Sequence, residues 1–429
     1  MPRTNEPAPS RKPWAVLAYT VADDRGGASA LDTAAKEELR ALCDAADFTH
    51  VSVAAQVDFK RPKGVFRGSL TALPPPPTQG FAPVRDENHP LWRKILGDVD
   101  DGRSVLKVEA ESRDLSAARA DVLQTFLSFG HESCPAERYV IYFYGHAYGP
   151  MGLFCDRETG QRETDTLRLN DLAGTIRAAG RAAIVVFRDC FMNTLEAAYQ
   201  LRDAASFMVA TQALAPIAGV WPWAKFMGVL DRDKQSSEVA RAVGAELAAF
   251  LEVSEHRSPF SDVPYSVLDL HQAGALVEPL KALVGAIEVA RRDPIQSAAC
   301  ASAIESARTG SPTTPSRPGD PALVDVPTMC ERLGALGEGE VAAAARALGE
   351  VVSGRLVSWH HSRRARFKGA SLFYKPVTAR DLRRSYLQAE DEKIAAADAE
   401  YYKSLALCRA TGWHRVALNP LAVEVGGKK

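Results

Sequence analysis

The chain has 429 residues, 46% of them hydrophobic and 24% charged, enough for one large domain or two ordinary ones around a sizeable core. Its 52 basic and 53 acidic residues leave a formal charge of −1, which excludes a general basic footprint for nucleic acid. No apolar run approaches the ~20 residues that a membrane-spanning helix needs, so neither nucleic acid nor membrane is an expected partner.

Met1 to Trp14 carries positive charge without an apolar core, so a disordered N-terminus (residues 1–13) without a secretion signal is expected. Trp14 to Val21 reads as a buried strand, followed by a helix from about Leu31 to Ala46. Phe48 to Val57 gives a second strand. Residues 68–92, with Pro74 to Pro77 in a row, predict an extended surface insertion. A helix opens at Asp114 or Ser116 and runs to about Phe129. Tyr139 to Tyr144 is continuously apolar and therefore a central strand. Asn170 caps a short helix to about Ala179, Ala182 to Phe187 is a fourth strand, a helix spans Asn193 to Leu201, and Ser206 to Thr211 is a fifth strand.

Strand–helix alternation of this kind predicts an α/β fold: a mostly parallel central sheet with helices on both faces, over a core at residues 14–235. Residues 236–429 read as mainly helical, with helices at about 236–254, 272–291 and 338–354 packed on that core. Within them, residues 309–327 are rich in Pro, Ser, Thr and Gly and read as a flexible linker. Gly369 to Tyr374 is a candidate returning strand.

Seven cysteines, none in a CxxC pair, argue against a disulfide scaffold and a structural zinc site, and favour a reducing, cytoplasmic setting. Their positions single out one. The third strand runs into Gly145-His146-Ala147-Tyr148-Gly149, and the fourth into Arg188-Asp189-Cys190-Phe191. In a parallel sheet, ligand sites lie beyond the carboxyl ends of the strands, so His146 and Cys190 emerge at one edge. A thiolate is a strong nucleophile, and a nearby imidazole can activate it and protonate a leaving amine. Each residue alone has an ordinary explanation, a small core thiol and a hydrogen-bonded loop histidine. Their equivalent places at strand ends are what point to catalysis. His360-His361, among Arg363, Arg364, Arg366 and Lys368, reads as a solvated basic segment, and no metal site is expected there.

Several motifs, in this order, resemble the clostripain family, caspase-fold cysteine peptidases of bacteria. Trp14 to Tyr19 with Ala22-Asp23-Asp24 is similar to its opening strand. Phe126 to Phe129 followed by Pro135 to Tyr139 resembles the approach to its histidine. Cys190-Phe191-Met192 with Glu196 to Tyr199 resembles its cysteine strand and following helix. Gly219-Val220-Trp221-Pro222, Gly369 to Tyr374 and Thr411-Gly412-Trp413 resemble later landmarks. His146 and Cys190 lie 44 residues apart, near the ~50 of caspase-type proteases.

The resemblance implies a cysteine endopeptidase with His146 as general acid/base and Cys190 as nucleophile. Its oxyanion hole would be the backbone N–H groups of Cys190 and Ala147, where the family usually has glycine at the latter. It implies a protein or peptide substrate, no cofactor beyond a regulatory calcium ion, and activation by processing through an upstream protease. Relatives of this fold also serve bacterial defence. Cleavage is expected in residues 68–92 or 309–327, with Arg85, Arg308 and Arg317 as tryptic-type positions.

Two departures bear on specificity. The family's acid two residues before the nucleophile is Arg188 here, and its Ser-Glu after the fifth strand is Thr211-Gln212. With Asp189 and Trp221, these are the candidate substrate-binding residues. An uncompensated Arg188 favours an acidic substrate residue, bound bidentately. If Arg188 pairs internally with Asp189 or another carboxylate, the family's preference for Arg or Lys is unchanged or the preference is supplied elsewhere; Asp189 could itself supply the negative charge. The rival from another class is a non-catalytic peptide-binding protein, supported by Ala147 and Arg188 and opposed by the His–Cys pair.

Overall fold

A computed structural model describes residues 11–22, 30–45, 49–60, 63–72, 104–112, 115–156, 165–215, 221–252, 263–308, 323–363, 367–375 and 392–421. In chain order the first elements are β1 (Lys12–Val21), α1 (Ala30–Ala45), β2 (Val51–Lys60), β3 (Lys63–Ala72), β4 (Ser104–Ser112), α2 (Ala120–Ser133) and β5 (Ala136–Tyr144). A small hairpin, β6 (Leu153–Asp156) and β7 (Asp165–Leu167), leads to α3 (Leu169–Ala179), β8 (Ala182–Phe187), α4 (Leu195–Leu201) and β9 (Ala205–Thr211). Then come α5 (Trp223–Val229), α6 (Ser236–Glu252), β10 (Tyr265–Asp269), α7 (Val277–Ala290) and α8 (Pro294–Glu305). The last part holds β11 (Leu323–Asp325), α9 (Val326–Gly334), α10 (Glu340–Val351), β12 (Val357–His361), β13 (Ser371–Phe373), α11 (Glu392–Ser404), α12 (Ala406–Thr411) and α13 (His414–Ala417).

Nine strands form one sheet in the order β12-β10-β9-β8-β5-β1-β2-β3-β4. The five inner strands, β9 to β2, are mutually parallel. Each end of the sheet carries two antiparallel strands, β10 and β12 on one side and β3 and β4 on the other. Parallel strands buried on both faces need continuous apolar sequence, and β1 and β5 supply it. One core lies between the sheet and α1, α5 and α6. The larger core lies on the other face and runs through α2, α3, α4 and α7 to the C-terminal helices.

The structure corrects the sequence reading in several places. Residues 68–72 finish β3 rather than open an insertion, and the rest of 73–103 lies outside the described residues. Residues 323–327 form β11 and the first turn of α9 rather than linker, with Asp325 capping α9 by accepting the Thr328 N–H. Helix α2 begins at Ala120 because the Ser116 hydroxyl is spent on a preceding turn, accepting the Ala118 N–H at 3.3 Å. Helix α3 begins at Leu169 without a side-chain cap of its own; the Tyr401 hydroxyl accepts the Leu169 N–H at 2.9 Å instead. The part after residue 235 is not only helical, since β10 and β12 complete the same sheet.

The C-terminal segments grip the elements that follow the inner strands. Trp413 Nε1 donates to the Phe373 carbonyl at 2.9 Å, and the Tyr402 hydroxyl to Glu196 Oε1 at 2.7 Å. At the end of β9, the fully buried Gln212 donates to Asp325 Oδ2 at 3.0 Å and Ser371 Oγ at 2.8 Å, and accepts the Gly369 N–H at 2.9 Å. Replacing Gln212 by Leu strands these buried partners and is expected to cost about 1–3 kcal/mol per unsatisfied group. Urea unfolding checks this as a lowered midpoint with unchanged slope.

Candidate active site

β5 and β8 are adjacent and parallel, with Phe143 paired to Phe187. His146 and Cys190 each follow that pair by three residues, so both come at the same offset in the loops that leave the carboxyl edge of the sheet. The Arg188 N–H donates to the Phe143 carbonyl at 2.9 Å, extending the ladder to within two residues of the thiol. Among the cysteines whose side chains are described, Cys190 is the one that is not buried. A nucleophile must be reachable as well as activated.

The backbone beside both residues is strained. Among the described residues, the non-glycine positions with positive φ are Phe154, at 54°, and Phe191, at 60°. A bulky side chain in that region is an outlier, and such strain collects at functional sites. Phe191 directly follows the thiol and is held by its N–H bond to the Ala213 carbonyl at 2.9 Å. Phe154 donates its N–H to the His146 carbonyl at 2.8 Å, and its ring packs beneath Gly145. A side chain at Gly145 would stand 2.8 Å from both that ring and the Val21 carbonyl, so only glycine lets the histidine turn approach β1.

Ala147 has ordinary negative φ, so the missing glycine costs no backbone geometry. It forms an isolated antiparallel bridge with Leu153, flanked by the bonds Phe154 N–H to His146 and Tyr148 N–H to Gly152. Residues facing each other between such bonds do not bond one another, which leaves the Ala147 amide out of this ladder. The Cys190 thiol sits against the segment beyond β9 and accepts the Ala215 N–H at 3.3 Å.

Of the two alternatives that the sequence leaves open for Arg188, the structure shows the internally paired one. It is 5% exposed and bonds Glu38 of α1, itself 4% exposed, at 2.5 Å. Glu38 also accepts the Tyr142 hydroxyl at 2.7 Å, the Trp221 N–H at 2.9 Å and Trp223 Nε1 at 3.1 Å. The guanidinium lies over the Tyr144 ring, 4.7 Å from its centre, and 5.7 Å from that of Trp221. Burial alone would lower the pKa of Arg188, but Glu38 and the tyrosines reverse this and keep it raised. The premise of an acidic preference, an uncompensated Arg188, is therefore not met.

The neighbouring Asp189 is fully buried, and neither carboxylate oxygen makes a well-formed hydrogen bond. Burial pushes its carboxyl well above the usual range; the Gly145 N–H and Arg188 offset only part of that. Thr211 and Gln212 are also fully buried. Thr211 shapes the turn that carries Ala213, accepting its N–H at 3.1 Å, and Gln212 is committed to Asp325, Ser371 and Gly369. Trp221 is 2% exposed and packs on Tyr142, Trp223 and Phe226, an anchor rather than a cleft wall. Glu38 was missed, because within α1 it reads as one polar position of an amphipathic helix. The signal available was its demand for a partner, which the unusual Arg188 supplies.

A sheet of this build, with a cysteine and a histidine at adjacent strand ends, is the architecture of a cysteine peptidase. Comparison with known families supplies the particular one. Residues 97–313, just over half the chain and including both candidate catalytic residues, match the model of the clostripain family, and the chain belongs to this family of cysteine proteases. Among solved structures, it resembles a secreted C11 cysteine protease from Bacteroides thetaiotaomicron in complex with an irreversible peptide inhibitor. The TM-score is 0.62 at 16% identity, covering 94% of this chain and 99% of that one. An inactive zymogen C11 protease from Parabacteroides distasonis matches with a TM-score of 0.64 at 15% identity, with the same coverage of 94% and 99%. At these identities the likeness establishes the fold. A comparison with curated protein sequences returns no match.

Two predictions follow from the buried charges. Arg188→Met leaves Glu38 buried without its counter-charge and is expected to cost about 3–5 kcal/mol in urea unfolding. For Asp189 the folded pKa is raised above the unfolded value near 3.9, so the folded chain binds the proton more tightly. Its cost to stability therefore grows as pH rises from ~4 toward the folded pKa. Asp189→Asn is expected to raise Tm at pH 7, with the gain narrowing as pH falls toward ~4; differential scanning fluorimetry across pH checks it.

Proposed function

We propose that the protein is an endopeptidase that hydrolyses peptide bonds through a Cys190–His146 dyad. The observation that carries this reading is their equal offset beyond paired residues of adjacent parallel strands. His146 takes the thiol proton as Cys190 Sγ attacks the scissile carbonyl. The backbone amides of Cys190 and Ala147 receive the oxyanion, and His146 returns the proton to the leaving amine. Water, deprotonated by His146, then cleaves the thioester and regenerates the thiol. The non-catalytic reading rested on Ala147 and Arg188; the first keeps its amide and the second is neutralised by Glu38.

Processing within residues 309–322 fits the same reading. Leu323, Val324, Val326 and Met329, which follow that segment, belong to the same core as β8 and α4, so a cleaved chain stays associated. Arg308 is not a suitable cleavage point. Its backbone bridges Val324, and its side chain is held by Glu305 and the Tyr374 carbonyl. Arg85 and Arg317 lie outside the described residues.

Cys190→Ala is expected to abolish cleavage of a casein substrate, and His146→Ala to lower kcat/KM by about 10²–10⁴-fold. Unchanged cleavage by the Cys190→Ala protein would exclude the dyad. Limited proteolysis should yield two fragments on a denaturing gel that co-elute as one species in native gel filtration.

A further inference from the structure

We propose that the enzyme takes an uncharged residue on the acyl side of the scissile bond, with the preference set by the Glu38–Arg188 pair. This deepens the dyad reading and rests on Cys190 as nucleophile. The scissile carbonyl must reach Cys190 Sγ, so the side chain preceding it meets whatever flanks that thiol. On one flank lies the segment beyond β9, tied to the site by Ala215 N–H to Sγ at 3.3 Å and Phe191 N–H to Ala213 at 2.9 Å. Ala213, Leu214 and Ala215 are partly exposed and carry no charge.

The two residues that precede the thiol, Arg188 and Asp189, are buried, at 5% and 0% exposure. The Arg188 cation is closed by Glu38 and walled by Tyr144 and Trp221, and the Asp189 oxygens are fully enclosed. A substrate Arg, Lys, Asp or Glu placed beside the thiol, against residues 213–215, would lose hydration without meeting an uncompensated partner. A neutral side chain loses nothing comparable and gains apolar contact with Leu214. The pair is also a latent charge of either sign. Removing one partner takes the nearest counter-charge from the other.

The test is a fluorogenic peptide series, varied only at the residue before the scissile bond, with Leu, Met, Gln, Arg, Lys, Asp and Glu. Wild-type enzyme is expected to turn over the best neutral member at least tenfold faster, in kcat/KM, than any charged one. Glu38→Gln, which removes the counter-charge of Arg188, should shift the preference toward Asp and Glu; Arg188→Gln should shift it toward Arg and Lys. Charged members turned over as fast as neutral ones by the wild type overturn the proposal, as does either variant keeping the wild-type profile while folded by circular dichroism. Should the variants unfold, the wild-type series decides, together with Leu214→Asp, expected to gain activity on Arg and Lys. Labelling Cys190 with peptidyl acyloxymethyl ketones separates the two levels of the argument. Labelling favoured by a charged residue removes only the specificity, whereas no labelling of Cys190 by any member removes the dyad and the specificity together.

Discussion

One buried ion pair organises the region around the nucleophile. Glu38 and Arg188 are 150 positions apart in sequence, and each would be costly to bury without the other. Their contact fixes α1 against the end of β8, and the remaining bonds of Glu38 recruit Tyr142 from β5 and both tryptophans that follow β9. The carboxylate thus collects donors from strands and loops that converge at the carboxyl edge of the sheet. Such an arrangement tolerates little slippage, because any shift leaves an unpaired charge in an aromatic surround.

From the opposite face, the loop after the thiol is held by the C-terminal part of the chain. Asn193 donates to the Gly369 carbonyl at 2.8 Å, and its own carbonyl accepts the Ser371 N–H at 3.0 Å. Thr194 bridges Ser371 and caps α4 by accepting the Ala197 N–H at 3.2 Å. These bonds and the Phe191–Ala213 bond over-determine the backbone, which is the condition for keeping a phenylalanine at positive φ.

The inner strands were legible because a parallel strand buried on both faces announces itself as an unbroken apolar run. His146 and Cys190 were legible because those runs ended directly at them. The antiparallel strands β3 and β4 were not. Lys63 to Ala72 mixes polar and apolar residues, and its partner lies beyond a long proline-rich stretch, so nothing local shows the pairing. Residues 323–327 read as linker because composition there matches the preceding stretch, whereas their structure comes from contacts with Phe373, Leu372 and Ser371. The substrate-side assignments of Thr211, Gln212 and Trp221 failed for one reason. Closeness to the catalytic edge in sequence says nothing about whether a side chain turns toward solvent or into the core.

The bonds of Asn193 to Gly369 and Ser371 have a consequence for the order of events in the cell. Both candidate catalytic residues are synthesised well before Gly369, which lies 176 positions after Asn193. The loop that carries the thiol gains these backbone partners only once residues 369–371 have been made. A chain that stops short of Gly369 therefore holds the reactive groups without these bonds to frame them, and alignment of the site waits for that segment.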